Sequence, residues 1–191
     1  MTALLTALLA FGALAGCTSS QTGGNPTTAP TTGGGQTSSE PTSDGSGASL
    51  DLSKFVGAPC SVLTADQVAT LGSVRAPEPG TGTLGPNCVW RGQDVIKNSK
   101  YTVHVTKDQN FDNQVNEVKN NAVFTDKKID GVRVISTDRL DGEVTCLVSL
   151  QASKTDSVTI QVNVASDEQA SKKACPEGER LAQLIIGNLK G

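Results

Sequence analysis

The chain has 191 residues, 36% hydrophobic and only 3% aromatic, with a formal net charge of −3 at pH 7. All Lys and Arg residues follow Ser49, and only Glu40 and Asp44 of the acidic residues precede it, so the C-terminal region is close to neutral. That balance gives no electrostatic reason to bind nucleic acid or an anionic membrane surface, and a single histidine excludes a two-histidine metal site.

In chain order, residues 1–16 predict a signal peptide. Thr2 to Ala15 is apolar apart from two threonines and carries no charge. It is too short for the roughly 20 residues of a spanning helix and suits a signal-peptide core. No Lys or Arg precedes it. The run closes on Leu14-Ala15-Gly16-Cys17, and small residues directly before a cysteine resemble the lipobox of a bacterial lipoprotein. The resemblance makes Cys17 the expected lipidation site, with a diacylglycerol on its sulfur. Acyl chains gain about 0.8 kcal/mol per buried CH₂, and two or more hold a protein stably on a bilayer. The expected location is the cell membrane, lipid-anchored on the extracytoplasmic face.

Residues 17–50 comprise this cysteine and a Ser/Thr/Gly/Pro tether. Thr18 to Ser49 holds no Lys, Arg, aromatic or aliphatic side chain larger than alanine. Such a segment buries too little apolar surface to offset its ordering entropy, so disorder is expected. A coil of this length spans about 30 Å, enough for a spacer between bilayer and domain.

Residues 51–191 are expected to form a single disulfide-stapled α+β domain. Ser61 to Gly72 carries a helix signature, with Thr64 and Gln67 as a capping box and Gly72 as the left-handed stop. Ser73 to Asn87 reads as a Pro/Gly loop, and a strand follows around Trp90. Tyr101 to Lys107 alternates as a half-buried strand. Phe111, Val115, Val118 and Ala122 recur at helical spacing. Val132–Thr137, Glu143–Gln151 and Ser157–Ala165 are three further strands, the last two joined by a hairpin. Ser166 and Gln169 form another capping box, and Pro176 kinks or restarts the helix that follows. The order α-β-β-α-β-β-β-α, with short turns between successive strands, predicts an antiparallel sheet of about five strands with packed helices.

Cys60, Cys88, Cys146 and Cys175 remain in the exported domain, and disulfides are the default there. Three pairings are open; Cys60–Cys88 with Cys146–Cys175 is favoured, each closing a loop of about thirty residues. Zinc is a poor alternative, with neither a C-x₂-C pair nor histidine partners.

The elements Ala58-Pro59-Cys60-Ser61-Val62-Leu63-Thr64, then Leu71-Gly72, then Asn87-Cys88-Val89-Trp90 resemble the actinobacterial lipoproteins built on domain of unknown function 3558. The resemblance covers about the first third of the domain well and the remainder by element order. It implies a secreted, lipid-anchored domain without an assigned activity. More distantly, the chain is similar in architecture to extracytoplasmic sensor domains and to PsbP-like sandwiches, analogies that carry no functional residues.

Chemistry-bearing motifs are few. Gly80-x-Gly82-x-x-Gly85 matches a dinucleotide fingerprint in letters only, because Pro79 precedes it and a strand follows. His104 lies on the polar face of its strand, with no nucleophile motif near it. Asp126, Asp130, Asp138 and Asp141 fall along turns, where Lys127, Lys128, Arg133 and Arg139 offer charge partners; an acid/base pair or a Ca²⁺ site is the functional alternative. Trp90 is expected to pack over the Cys88 disulfide, with ligand stacking as the alternative if exposed. The leading expectation is a non-enzymatic binding or adaptor module without cofactor or metal. Its partner would be a small apolar ligand or an envelope protein. A cell-wall hydrolase using the 126–141 aspartates, or an accessory subunit of a secretion or signalling complex, are the alternatives.

Overall fold

The structure is a computed structural model that describes residues 50–191. The expected signal peptide 1–16, Cys17 and the tether as far as residue 49 lie outside the described residues.

The chain runs α1 (Ser53–Val56), a 3₁₀ turn (Pro59–Val62), α2 (Ala65–Ala69), β1 (Glu78–Gly82), β2 (Gly85–Trp90), β3 (Lys100–Thr106), α3 (Phe111–Val118), β4 (Val123–Ile129), β5 (Val132–Asp138), β6 (Thr145–Gln151), β7 (Ser157–Asn163), a second 3₁₀ turn (Ser166–Glu168) and α4 (Ala174–Lys190). All seven strands form one antiparallel sheet in the order β1-β2-β3-β7-β6-β5-β4. The α+β class holds, and the expected strand count is corrected from about five to seven.

The two extra strands are the sheet's edges. β1 lies in the segment expected to be a Pro/Gly loop, and every residue in it is exposed. With neither face buried, it has no apolar alternation to read. Its proline is tolerated because an edge strand need not donate every ladder hydrogen bond. β4 carries Asp126, Lys127 and Lys128 and is mostly exposed. Charges of this kind protect an edge from pairing with other chains.

Strand alternation gives the sheet two unlike faces. Cys88, Trp90, Tyr101, Val103, Val105, Val148, Leu150, Ile160 and Val162 point inward and are fully or almost fully buried. They pack with Leu181, Ala182, Ile185, Ile186 and Leu189 of α4 in one core cluster. Helix α4 approaches closely at Gly178, where a Cβ would stand 2.6 Å from Val148 Cγ2. Cys60–Cys88 ties the first 3₁₀ turn to β2, and Cys146–Cys175 ties β6 to the first turn of α4, with Cα atoms 4.9 and 5.0 Å apart.

Within Ser61 to Gly72, Ser61 and Val62 belong to the 3₁₀ turn and the helix is α2, which starts where the expected capping box places it. Thr64 is extended (φ −72°, ψ 162°) and caps α2, so the helix cannot begin before Ala65. The capping box is present: Gln67 N–H donates to Thr64 Oγ1 at 3.3 Å, and Thr64 N–H to Gln67 Oε1 at 2.9 Å. Gly72 takes φ +93°. The box expected at Ser166 and Gln169 is absent, the segment being a 3₁₀ turn without a side-chain cap. Glu168 instead turns its carboxylate to Ser99 and Lys172. Pro176 lies in the first turn of α4, where its missing N–H costs nothing.

Candidate functional site

The connection from β3 to β4 positions the site. β3 lies inside the sheet and β4 is its far edge, so the chain between them must cross the outer face. It does so as α3. Asn110 Oδ1 accepts the Asn113 N–H as its N-cap, and the N–H groups of Gln109 and Phe111 donate to the carbonyls of Thr155 and Lys154. At the far end, Asn121 Nδ2 donates to Thr137 Oγ1 on β5 at 2.9 Å. Arg133 of β5 clamps the first turn, with Nη1 2.7 Å from Asp112 and its guanidinium 5.6 Å from the Phe111 ring centroid.

Held at both ends, α3 stands off the sheet and leaves a groove of about 200 Å³. Leu84, Phe111, Val115, Val118, Ile135 and Leu147 form its apolar wall. Its hydroxyls are already engaged: Ser149 Oγ and Thr159 Oγ1 are 3.0 Å apart, and Thr137 accepts from Asn121. Among the described residues Glu117 is the one ionisable lining residue. Gln114 also lines the groove, and its buried Nε2 has no hydrogen-bond partner among the described residues. A buried donor left unpaired costs roughly 1–3 kcal/mol. The groove is therefore a mainly apolar slot with one unused donor.

Beside it, His104, Thr159, Ser149 and Ile135 form one row across four neighbouring strands. Burial holds the pKa of the His104 imidazole below its ordinary value. Its Nδ1 is buried without a hydrogen-bond partner among the described residues. A general base needs a nucleophile within about 2.6–3.2 Å, and here the two hydroxyls of the row bond each other instead.

The aspartates are dispersed. Asp126 on β4 binds Arg133 at 2.8 Å. Asp130 forms the β4–β5 turn with Gly131, both at positive φ. Asp138 lies at the other end of β5, about 25 Å along the strand from Asp130. It accepts the Leu140 and Gly142 N–H groups and the Thr145 hydroxyl. Burial opposes its charge, but these donors outweigh it and its carboxyl lies below the usual range. Asp141 accepts the Glu143 N–H. Among the described residues no group of three or more His, Cys, Asp or Glu side chains could hold a metal ion.

The remaining candidates are structural. Trp90 is 0% exposed and shares the inner face with Cys88, so it presents no ring to a ligand. Gly80, Gly82 and Gly85 belong to the β1–β2 hairpin. Gly85 has φ +98°, and a Cβ there would stand 2.7 Å from the Val105 carbonyl oxygen. The apolar face of α3 is readable in the sequence, but the groove under it is not. The available signal was Ile135 and Leu147, which interrupt the otherwise polar outer positions of β5 and β6.

No curated protein and no solved structure matches the chain. A family model does, over residues 12–188. With nearly the whole chain covered, the protein belongs to the family described as protein of unknown function (DUF3558).

Proposed function

We propose that the protein is a lipid-anchored extracytoplasmic binding module without catalytic activity, whose groove beneath α3 holds a small, uncharged apolar group. The observation that carries the reading is the groove itself, about 200 Å³ with an apolar wall and no cation among the described residues that line it. An engineered cavity of about 150 Å³ already binds benzene, whereas pockets for drug-sized ligands start near 300 Å³. The occupant is thus one ring, one branched side chain or the end of one alkyl chain. The unpaired Gln114 Nε2 favours an occupant with a hydroxyl or carbonyl oxygen.

The anchor rests on Leu14-Ala15-Gly16-Cys17, a stretch that the family match takes in by starting at residue 12. The absence of catalysis is inferred from the dispersed aspartates, the unpartnered His104 Nδ1 and the pairing of all four domain cysteines.

The test is to purify the full chain from its native membrane and compare organic extracts of wild type and Val115→Phe by mass spectrometry. The phenyl ring fills the groove, so an apolar compound retained by wild type is expected to be lost from the variant. Equal recovery from both would refute the groove. In the same preparation Cys17→Ala is expected to release the protein from the membrane; retention would refute the anchor.

A further inference from the structure

We propose that the domain has a second binding site, independent of the groove, which captures the aliphatic carboxyl terminus of a partner peptide. It lies where β2 and β7 end and β3 begins. Leu50, the first described residue, hydrogen-bonds to Ala152 at the opposite end of the strands, about 20 Å away along β7.

The site is a pocket of about 250 Å³, with Arg75, Arg91, Val95, Asn98, Lys100 and Val164 among its walls. Local structure preforms it. Arg75 is carried in by backbone pairing, its N–H donating to the Arg91 carbonyl at 2.7 Å, and the Gln93 N–H donates to the Ser73 carbonyl at 3.0 Å. The 91–99 loop doubles back so tightly that a Cβ on Gly92 would overlap the Asn98 carbonyl. Asp94 Oδ1 accepts the Ile96 and Lys97 N–H groups, and the Asp167 N–H donates to the Ile96 carbonyl. The loop is thereby fixed to both rims.

Charge names the first feature of the occupant. Three cations converge on the pocket and, among the described residues, no carboxylate lines it. Arg91 is paired with Glu78 at 3.1 Å, an exposed contact. Arg75 donates to the Gln93 carbonyl, and Lys100 joins no ion pair among the described residues. Among the described residues two positive charges are left without a counter-charge, and guanidinium groups match carboxylates in geometry.

The walls name the rest. Val95 is 81% exposed, with Ile96 beside it at 57%, over a floor of buried Val164 and Ala165. Apolar side chains so exposed, at the mouth of a cationic pocket, suit an aliphatic side chain next to the carboxylate. Asn98 Oδ1 accepts the Asp94 N–H, which leaves its Nδ2 as a donor for the last peptide carbonyl. The size fits one residue with its terminal carboxylate, the mode of carboxyl-terminal capture. An anionic bilayer fits less well, because Asp94, Asp138, Asp141 and Asp167 are carried on the loops and strand ends at this end of the sheet.

The experiment is a ¹⁵N NMR titration of the full chain with N-acetyl-leucine, which models an aliphatic carboxyl terminus. Saturable shifts are expected at the amides of Val95, Asn98, Lys100 and Ala165, with α3 amides unmoved. N-acetyl-leucinamide, lacking the charge, and inorganic phosphate, lacking the side chain, are each expected to bind about tenfold more weakly or worse. The double variant Arg75→Gln with Lys100→Gln is expected to lose the shifts. Val95→Asp, at a solvent-facing position, is expected to do the same and keeps the result readable if the double variant disturbs the loop. The proposal is overturned if no saturable shift occurs, if the amide or phosphate matches N-acetyl-leucine, or if phosphatidylglycerol vesicles alone move these amides.

Discussion

Arg133 Nη1 lies 2.7 Å from Asp112 Oδ1, so a guanidinium on β5 holds the first turn of α3 against the sheet. The same group forks onto Asp126 of β4, its Nη2 at 2.8 Å and its Nε at 3.1 Å. The Asp126 and Asp112 hydrogen bonds together raise the Arg133 pKa further above an already high value. Two strands and one helix thus share a single cation.

Arg133→Ala is expected to cost only about 1 kcal/mol of global stability, because both carboxylates are substantially exposed. Its larger effect falls on α3. Amide exchange from Val115 to Lys119 is expected to accelerate well beyond that of β3 or β7, with Asp112→Asn intermediate. Uniform exchange across the domain would show that the clamp does not hold the helix.

The two disulfides leave no thiol among the four domain cysteines. Intact-mass analysis after alkylation without reduction is expected to show no adduct on any of them. Each bond closes a loop of 28 or 29 residues, and loop entropy assigns each about 3–4 kcal/mol. Cys146→Ser with Cys175→Ser should lower the urea midpoint accordingly, and an unchanged midpoint would contradict this role.

His104 makes stability depend on pH in a stated direction. Burial holds its pKa below the 6.5 of the unfolded chain. Between that lowered value and 6.5 the unfolded chain binds a proton that the fold does not, so stability is lost as pH falls through this window. Its cross-strand neighbours Asn87 and Thr159 are neutral and offer no compensating charge. Thermal unfolding between pH 7.5 and 5.5 is expected to show this loss in wild type and a flatter profile in His104→Gln. Identical slopes would show that His104 is not the titrating group.

Local signals were legible in the sequence and non-local ones were not. Thr64 and Gln67 are three residues apart and make the capping box that their spacing implies. The alternation of apolar residues in β3 and β7 shows in the sequence because Tyr101, Val103, Val105, Val158, Ile160 and Val162 all face the one core. β1 is exposed throughout and β4 through its middle, so burial selects few apolar residues there. The groove needs the crossing of α3 from β3 to the far edge, and the second pocket needs Arg75 beside Lys100. Both juxtapositions arise only when the strand order is known.

The functional reading stands or falls on whether the space beneath α3 receives an apolar group. A methyl-NMR titration of the full chain with 1-hexanol answers this, reading intermolecular contacts to the methyl groups of Val115, Val118, Ile135 and Leu147. Saturable shifts and contacts at these methyls, abolished by Val115→Phe, are predicted. Contacts confined to other sites, or shifts at these methyls that never saturate, would contradict it.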